Sequence, residues 1–249
     1  MFTTLALALS LPAHAGSYTA GTWSNDIDGS YWEIYGSSVL AYAACGNSTL
    51  SQTTNEVNAF ITQMVPFGYS NYRHYTDSSA WSKDFEQSGY DASYNEVGDF
   101  NYYSGHGGSG GFSFCASVGD NWVSASETHW GDADVDLVAL DSCNSLDAAG
   151  RTAFGTANLN AGIHYIVGFE STASDIVTTG DKYGYYLKNG YYVDTAWWYA
   201  VNDGHGVGAI AADVRFTSAS CNTWFDKGAT VSCDPKSGSS YVSATYNAT

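Results

Sequence analysis

The sequence has little positive charge. Lys and Arg number 8 in 249 residues against 25 Asp and Glu, giving a formal charge of −17. Neutralising a phosphate backbone needs clusters of Lys and Arg. None exists here, so nucleic acid is excluded as a partner and anionic membranes are disfavoured. An acidic surface attracts cationic peptides or metal ions. The plainer reading is that the charge keeps an aromatic-rich chain dissolved. Charged residues of both signs make up only 13 %, so Ser, Thr, Asn, Gly and Tyr must supply much of the polar surface. No apolar run is long enough to cross a bilayer. What is present is 44 % hydrophobic residues, enough for a packed core and against disorder. The 20 Tyr and 8 Trp suit an extracellular protein better than a cytosolic one.

Leu5 to Leu11 is a short apolar run before Ala13-His14-Ala15. That reads as a secretory signal over 1–15, without a basic leader segment. Residues 16–33 form an N-terminal arm, 34–216 one α/β domain, and 217–249 a C-terminal β segment stapled by a disulfide. Within the arm, Asn25-Asp26-Ile27-Asp28-Gly29 has part of a calcium-loop pattern, but its ligands stop too soon and it reads as a turn. Five cysteines leave one over after pairing. Cys221 and Cys233 flank a turn and are expected to pair. Cys45 can pair with Cys115 if their loops meet, leaving Cys143 as the thiol. A Cys115–Cys143 bridge is the alternative.

Along the chain, Ile34 to Ala44 reads as the first core strand. Thr53-Thr54-Asn55-Glu56 then starts a short amphipathic helix through Met64. Phe67 to Thr76 reads as an aromatic loop, and 117–134 as irregular. Leu146 to Phe154 is a helix and Gly162 to Phe169 a strand. Ser174-Asp175 caps a helix that ends at Asn189-Gly190. Val193 to Val201 is a further helix and Val207 to Phe216 a strand. Strands alternating with helices imply a parallel sheet covered on both faces.

Two stretches organise this pattern. Phe100 to Gly108 is an apolar strand ending at His106, and Val135 to Ser145 is one ending at Cys143. Residues just past the carboxyl ends of neighbouring parallel strands converge on one crevice. A Cys acts as a nucleophile when it is a thiolate, and a nearby imidazole lowers its pKa. The main-chain N–H groups of Gly107 and Cys143 are candidate donors to an oxyanion.

Tyr103-Ser104-Gly105-His106-Gly107 and Asp141-Ser142-Cys143-Asn144-Ser145 resemble the two signatures of the metacaspase branch of caspase-like cysteine peptidases, a group that includes legumains, gingipains and clostripain. The resemblance covers roughly 34–216. It implies a caspase-like three-layer α/β/α sandwich with a mostly parallel sheet, a His106–Cys143 dyad and peptide-bond hydrolysis. It implies no cofactor and no metal in the chemistry, although some members require calcium for activation. Asp141 matches the position that binds a basic side chain before the cleaved bond, and Asp175 is a looser second acid. Asn144 departs from the family, which usually has His there. The expectation is a secreted, monomeric cysteine endopeptidase acting on peptides or proteins. Its rival is an inactive scaffold of the same fold serving as a binding module.

Other readings are weaker. His106-Gly107-Gly108 resembles the oxyanion turn of lipases, but the chain has no Gly-x-Ser-x-Gly elbow. His74, His129, His164 and His205 show no metal-ligand spacing.

Overall fold

A computed structural model describes residues 18–20 (main chain only), 32–69, 71–223, 226–227 and 233–249. The signal over 1–15 and the turn at 25–29 lie outside the described residues.

In chain order the elements are β1 (Tyr18–Ala20), β2 (Glu33–Ser38), α1 (Thr53–Met64), β3 (Asn71–Thr76), β4 (Phe100–Ser104), β5 (Gly107–Gly108), β6 (Gly111–Ser113) and β7 (Trp122–Ser124). Then follow β8 (Leu137–Asp141), α2 (Ala148–Ala157), β9 (Tyr165–Phe169), α3 (Thr178–Lys188), α4 (Val193–His205), β10 (Ile210–Thr217) and β11 (Ser240–Asn247). Eight strands form one sheet in the order β1-β3-β2-β4-β8-β9-β10-β11. The five from β3 to β9 are mutually parallel, while β1 and β10 run antiparallel to their neighbours. The protein is therefore α/β with a mostly parallel mixed sheet.

The central strands bury both faces, as parallel strands under helices do. Leu137 and Ala139 of β8 face a core built with Phe60, Tyr183, Leu187 and Trp197 from α1, α3 and α4. Val138 and Leu140 face the other side, against Leu146, Phe154, Trp130 and Phe112. That second face is covered by α2 and by a small antiparallel sheet, β5-β6-β7. Gly180 of α3 lets the helices on the first face close up, since a Cβ there would lie 2.4 Å from the Glu56 carbonyl of α1.

Several expectations are corrected. The strand expected over 34–44 ends at Ser38, and a 3-10 turn, Ala43–Cys45, follows. The stretch from Phe67 to Thr76 is not all loop. Its second half is β3, whose buried His74 is satisfied by Ser38 Oγ at 2.8 Å and Asn58 Oδ1 at 3.0 Å. The region 117–134 contains β7. The C-terminal segment does not stand apart: β11 is the last strand of the main sheet, paired with β10 over its whole length.

Cys45 and Cys115 are bridged, with Cα atoms 5.8 Å apart, and Cys143 is a thiol. Cys221 and Cys233 are not joined to each other. Cys221 is buried, whereas Cys233 is exposed and its Sγ donates to the Ser220 carbonyl at 3.4 Å. Among the described residues no helix is long and apolar enough to cross a membrane.

Candidate functional site

The parallel strands begin with β2; the chain then steps to β3 on one side of it and crosses to β4 on the other. Such a reversal opens a crevice at the carboxyl ends of the strands. A cavity of about 100 Å³ lies there. Loops after β2, β4, β8 and β9 line it, contributing Leu50, His106, Cys143 and Ala173–Asp175 among others. The structure thus brings together His106, Cys143, Asp141 and Asp175.

His106 follows β4 directly. Its N–H donates to the Tyr42 hydroxyl at 3.0 Å, and that hydroxyl donates to the Ser113 carbonyl at 2.6 Å. The Tyr42 ring packs on the imidazole, with centroids 4.4 Å apart. Imidazole Nε2 lies 2.7 Å from the Ser48 carbonyl, which can only accept. This fixes the proton on Nε2 and leaves Nδ1 as the basic nitrogen. The Cys45–Cys115 bridge holds the segment carrying Tyr42 and Ser48 against the hairpin that follows His106.

Cys143 sits in an abrupt turn. Ser142 N–H donates to the Leu140 carbonyl at 2.9 Å, and Asn144 adopts φ 53°. Asn tolerates that left-handed conformation better than most residues. Cys143 Sγ is half-buried and meets the main chain of Ala173, accepting from its N–H at 3.3 Å and lying 3.5 Å from its carbonyl oxygen. The Cys143 N–H has no hydrogen-bond partner among the described residues. Ser113 N–H donates to the His106 carbonyl at 2.9 Å. Antiparallel pairs alternate between bonded and non-bonded, so the next pair, Gly107 and Phe112, is non-bonded. The Gly107 N–H therefore turns away from β6. Gly107 also lies too close to the Cys143 turn for any side chain: a Cβ would be 2.7 Å from Ser142 Oγ and 3.0 Å from the Cys143 carbonyl.

Asp141 ends β8 level with Ser104 of β4. It is 5 % exposed, and its Oδ2 has no hydrogen-bond partner among the described residues. Beside it in the same cavity is Glu56 of α1, which accepts from Tyr102 Oη at 2.7 Å and Ser104 Oγ at 2.6 Å. Burial, then repulsion from Asp141, pushes the Glu56 carboxyl well above its ordinary value. Burial pushes Asp141 up to about 6. Two carboxyls in one dry space retain a proton until a cation arrives. Asp175 lies at the rim and accepts from the N–H groups of Ser51 and Gln52 and from Ser51 Oγ. It was expected to cap its own helix, α3; instead it holds the turn that leads into α1. Its oxygens are committed to those donors.

Glu56, Tyr42, Ser48 and Ala173 were not legible as site residues. Glu56 had a signal, the Thr-x-x-Glu spacing, but that pattern points to a helix start. The other three contribute mainly main-chain groups or a ring packed on His106.

Residues 20–246 match the family described as a domain of unknown function, DUF6345. The chain belongs to that family. The matched span takes in every element from β2 to β10 and all of the cavity residues. No curated protein matches the chain.

The buried carboxyls also predict a pH dependence of stability. Glu96 accepts N–H groups from Gly131 and Ala133, yet burial pushes it from an ordinary 4.5 up to about 8. The native state then holds a proton that the unfolded chain has released, so stability falls as pH rises toward 8. Burial holds His74 neutral down to about 3 and His205 down to about 4. Those two weaken the fold only below about pH 6.5. Between pH 6.5 and 8 neither of those two histidines opposes the carboxyls, and the melting temperature should fall. Glu96→Gln should flatten the decline. A melting temperature that rises across this interval contradicts the assignment.

Proposed function

We propose that the protein is an exported cysteine endopeptidase of caspase-like architecture that cleaves after Arg or Lys. One observation carries the reading: His106 and Cys143, from the carboxyl ends of adjacent parallel strands, line one cavity that also contains the unpartnered carboxylate oxygen of Asp141. The strand order supports it too. The core strands, counted as they occur after β1, lie in the order 2-1-3-4-5-6 with the sixth antiparallel. The family resemblance implies a mostly parallel sheet, and five of these six strands are parallel. A disulfide between Cys45 and Cys115 suits an oxidising compartment.

In this mechanism the Cys143 thiolate attacks the scissile carbonyl. The N–H groups of Gly107 and Cys143 hold the oxyanion. His106 gives the amine leaving group a proton, and the acyl group stays on sulfur. Water, deprotonated by His106, then releases the acid and restores the thiol. The basic side chain before the cleaved bond reaches Asp141 and Glu56, where charge-assisted hydrogen bonds replace the retained proton.

Selectivity tests this pocket directly. Asp141→Asn should lower kcat/KM for Arg and Lys reporter peptides by about 10²-fold, the effect of removing one partner of a buried charge pair. Turnover of reporters with an uncharged residue in that place should change little. An Arg preference that survives Asp141→Asn contradicts the pocket assignment. An iodoacetamide-type reagent should label Cys143, and a peptidyl-arginine inhibitor should protect it. If Cys143 resists the reagent in the folded protein, the inactive scaffold is the correct reading.

A further inference from the structure

The edge of the sheet opposite the cavity carries a second set of polar side chains. His164 immediately precedes β9, and Asp136 immediately precedes β8. Their main chains are pinned together, with the N–H groups of His164 and Tyr165 donating to the Asp136 carbonyl at 2.9 Å and 3.2 Å. The His164 ring is fully buried. Its Nδ1 lies 2.7 Å from Asp226 Oδ2. Its Nε2 points between two further carboxylates, 3.3 Å from Asp136 Oδ1 and 3.7 Å from Asp234 Oδ1. Despite full burial, Nε2 makes no hydrogen bond of acceptable geometry with either, or with any other described residue.

We propose that Asp136, His164 and Asp234 bind a divalent transition-metal ion, with zinc preferred. Three observations lead there. The three donor atoms lie within 4.8 Å of one another. A tetrahedral ion with bonds of about 2.0–2.1 Å has ligand–ligand edges of roughly 3.3–3.4 Å, close to the two measured separations. The buried Nε2, without a hydrogen-bond partner, is aimed into the space between the carboxylates. Finally, Asp226 on the far ring nitrogen fixes the tautomer that leaves Nε2 as the ligand, the outer partner that metal-bound histidines ordinarily have.

The donor set selects the ion. One imidazole with two carboxylates suits zinc or manganese, and affinity at such sites rises from manganese to zinc. Calcium, which takes six or more oxygens, is a poor match. Charge agrees. Lys236 Nζ lies 3.0 Å from Asp234 Oδ2, leaving Oδ1 for the metal. Lys236 and a divalent ion together supply three positive charges beside the carboxyl groups of Asp136, Asp226 and Asp234. The fourth position opens to water on the Asp234 side, where that side chain is 43 % exposed. The ion clips the segment carrying Asp226 and Asp234 to the amino ends of β8 and β9. Histidine spacing in the sequence gave no sign of this site, because its ligands come from three distant segments.

The test uses the full chain carrying Cys143→Ser, so that the cavity thiol does not compete for zinc. After treatment with chelator, calorimetric titration with zinc chloride should show one saturable equivalent and a raised melting temperature. Asp234→Ala, a change at a half-exposed side chain, should weaken that equivalent at least 10-fold without unfolding the protein. Asp226→Asn should weaken it by about 10–100-fold. Manganese should compete and calcium should not. The proposal is overturned if no equivalent of zinc is taken up, or if Asp234→Ala binds it as tightly as the parent. Neither outcome bears on the endopeptidase reading, since the two sites lie at opposite edges of the sheet.

Discussion

Replacing Cys143 by Ala should abolish hydrolysis of Arg and Lys reporter peptides, with a fall in kcat of about 10⁴-fold or more. Ser104 Oγ is committed to Glu56, and Thr53 lies in the first turn of α1 without an adjacent imidazole. The loss should be chemical and not structural. Cys143 Sγ touches only the main chain of Ala173 through its polar contacts, and the residue is half-buried. Truncating it should shift stability by less than about 1 kcal/mol. Melting curves and reporter kinetics on the same preparation separate the two effects. Activity retained in Cys143→Ala removes the mechanism.

The second large effect concerns the disulfide. Cys45→Ala with Cys115→Ala should lower stability by about 4 kcal/mol, because the bridge closes a loop spanning 70 positions and so restricts the unfolded chain. For a chain of this size that corresponds to a melting temperature lower by roughly 10 °C. A change below about 2 °C would show that the loop is held by its other contacts. Kinetics should respond as well. The bridged segment supplies the Tyr42 hydroxyl to the His106 N–H and the Ser48 carbonyl to the imidazole. Mild reductant should therefore raise activity by freeing Cys143 from adventitious oxidation, and stronger reductant should lower it again as the bridge opens. Loss at the higher concentration should disappear in the double alanine variant, whose activity is low throughout.

Much of this architecture was legible in the chain. The runs that became β4, β8 and β9 are mostly apolar because both faces are buried, and each stops at a small residue or a turn. β3 was hidden for the opposite reason. Asn71-Tyr72-Arg73-His74-Tyr75-Thr76 looks like surface, and it is buried only because Glu33, Ser38 and Asn58 arrive from elsewhere to satisfy it. The same blindness hid Glu56. Its spacing from Thr53 reads as a local helix signal, but its carboxylate points inward at residues of β4 and toward Asp141. Asp175 shows the converse, a local cap in sequence that serves a different helix in space. His106 and Cys143 stood out because each is a single reactive side chain at the end of a predictable strand. A pocket assembled from four loops has no such one-dimensional mark.

The short stretch after β9 works as a mechanical tie. Ser171 receives the Asn144 N–H at 2.8 Å, Ala173 holds the Cys143 sulfur, and Ser174 N–H reaches the His205 ring at 3.1 Å. Asp175 then fastens the start of α1, the helix that carries Glu56. Three parts of the molecule thus share five residues of chain as their common tie. A single backbone cut between 171 and 175 would detach the nucleophile turn, the end of α4 and the acidic floor from one another at once, while leaving every strand of the sheet intact.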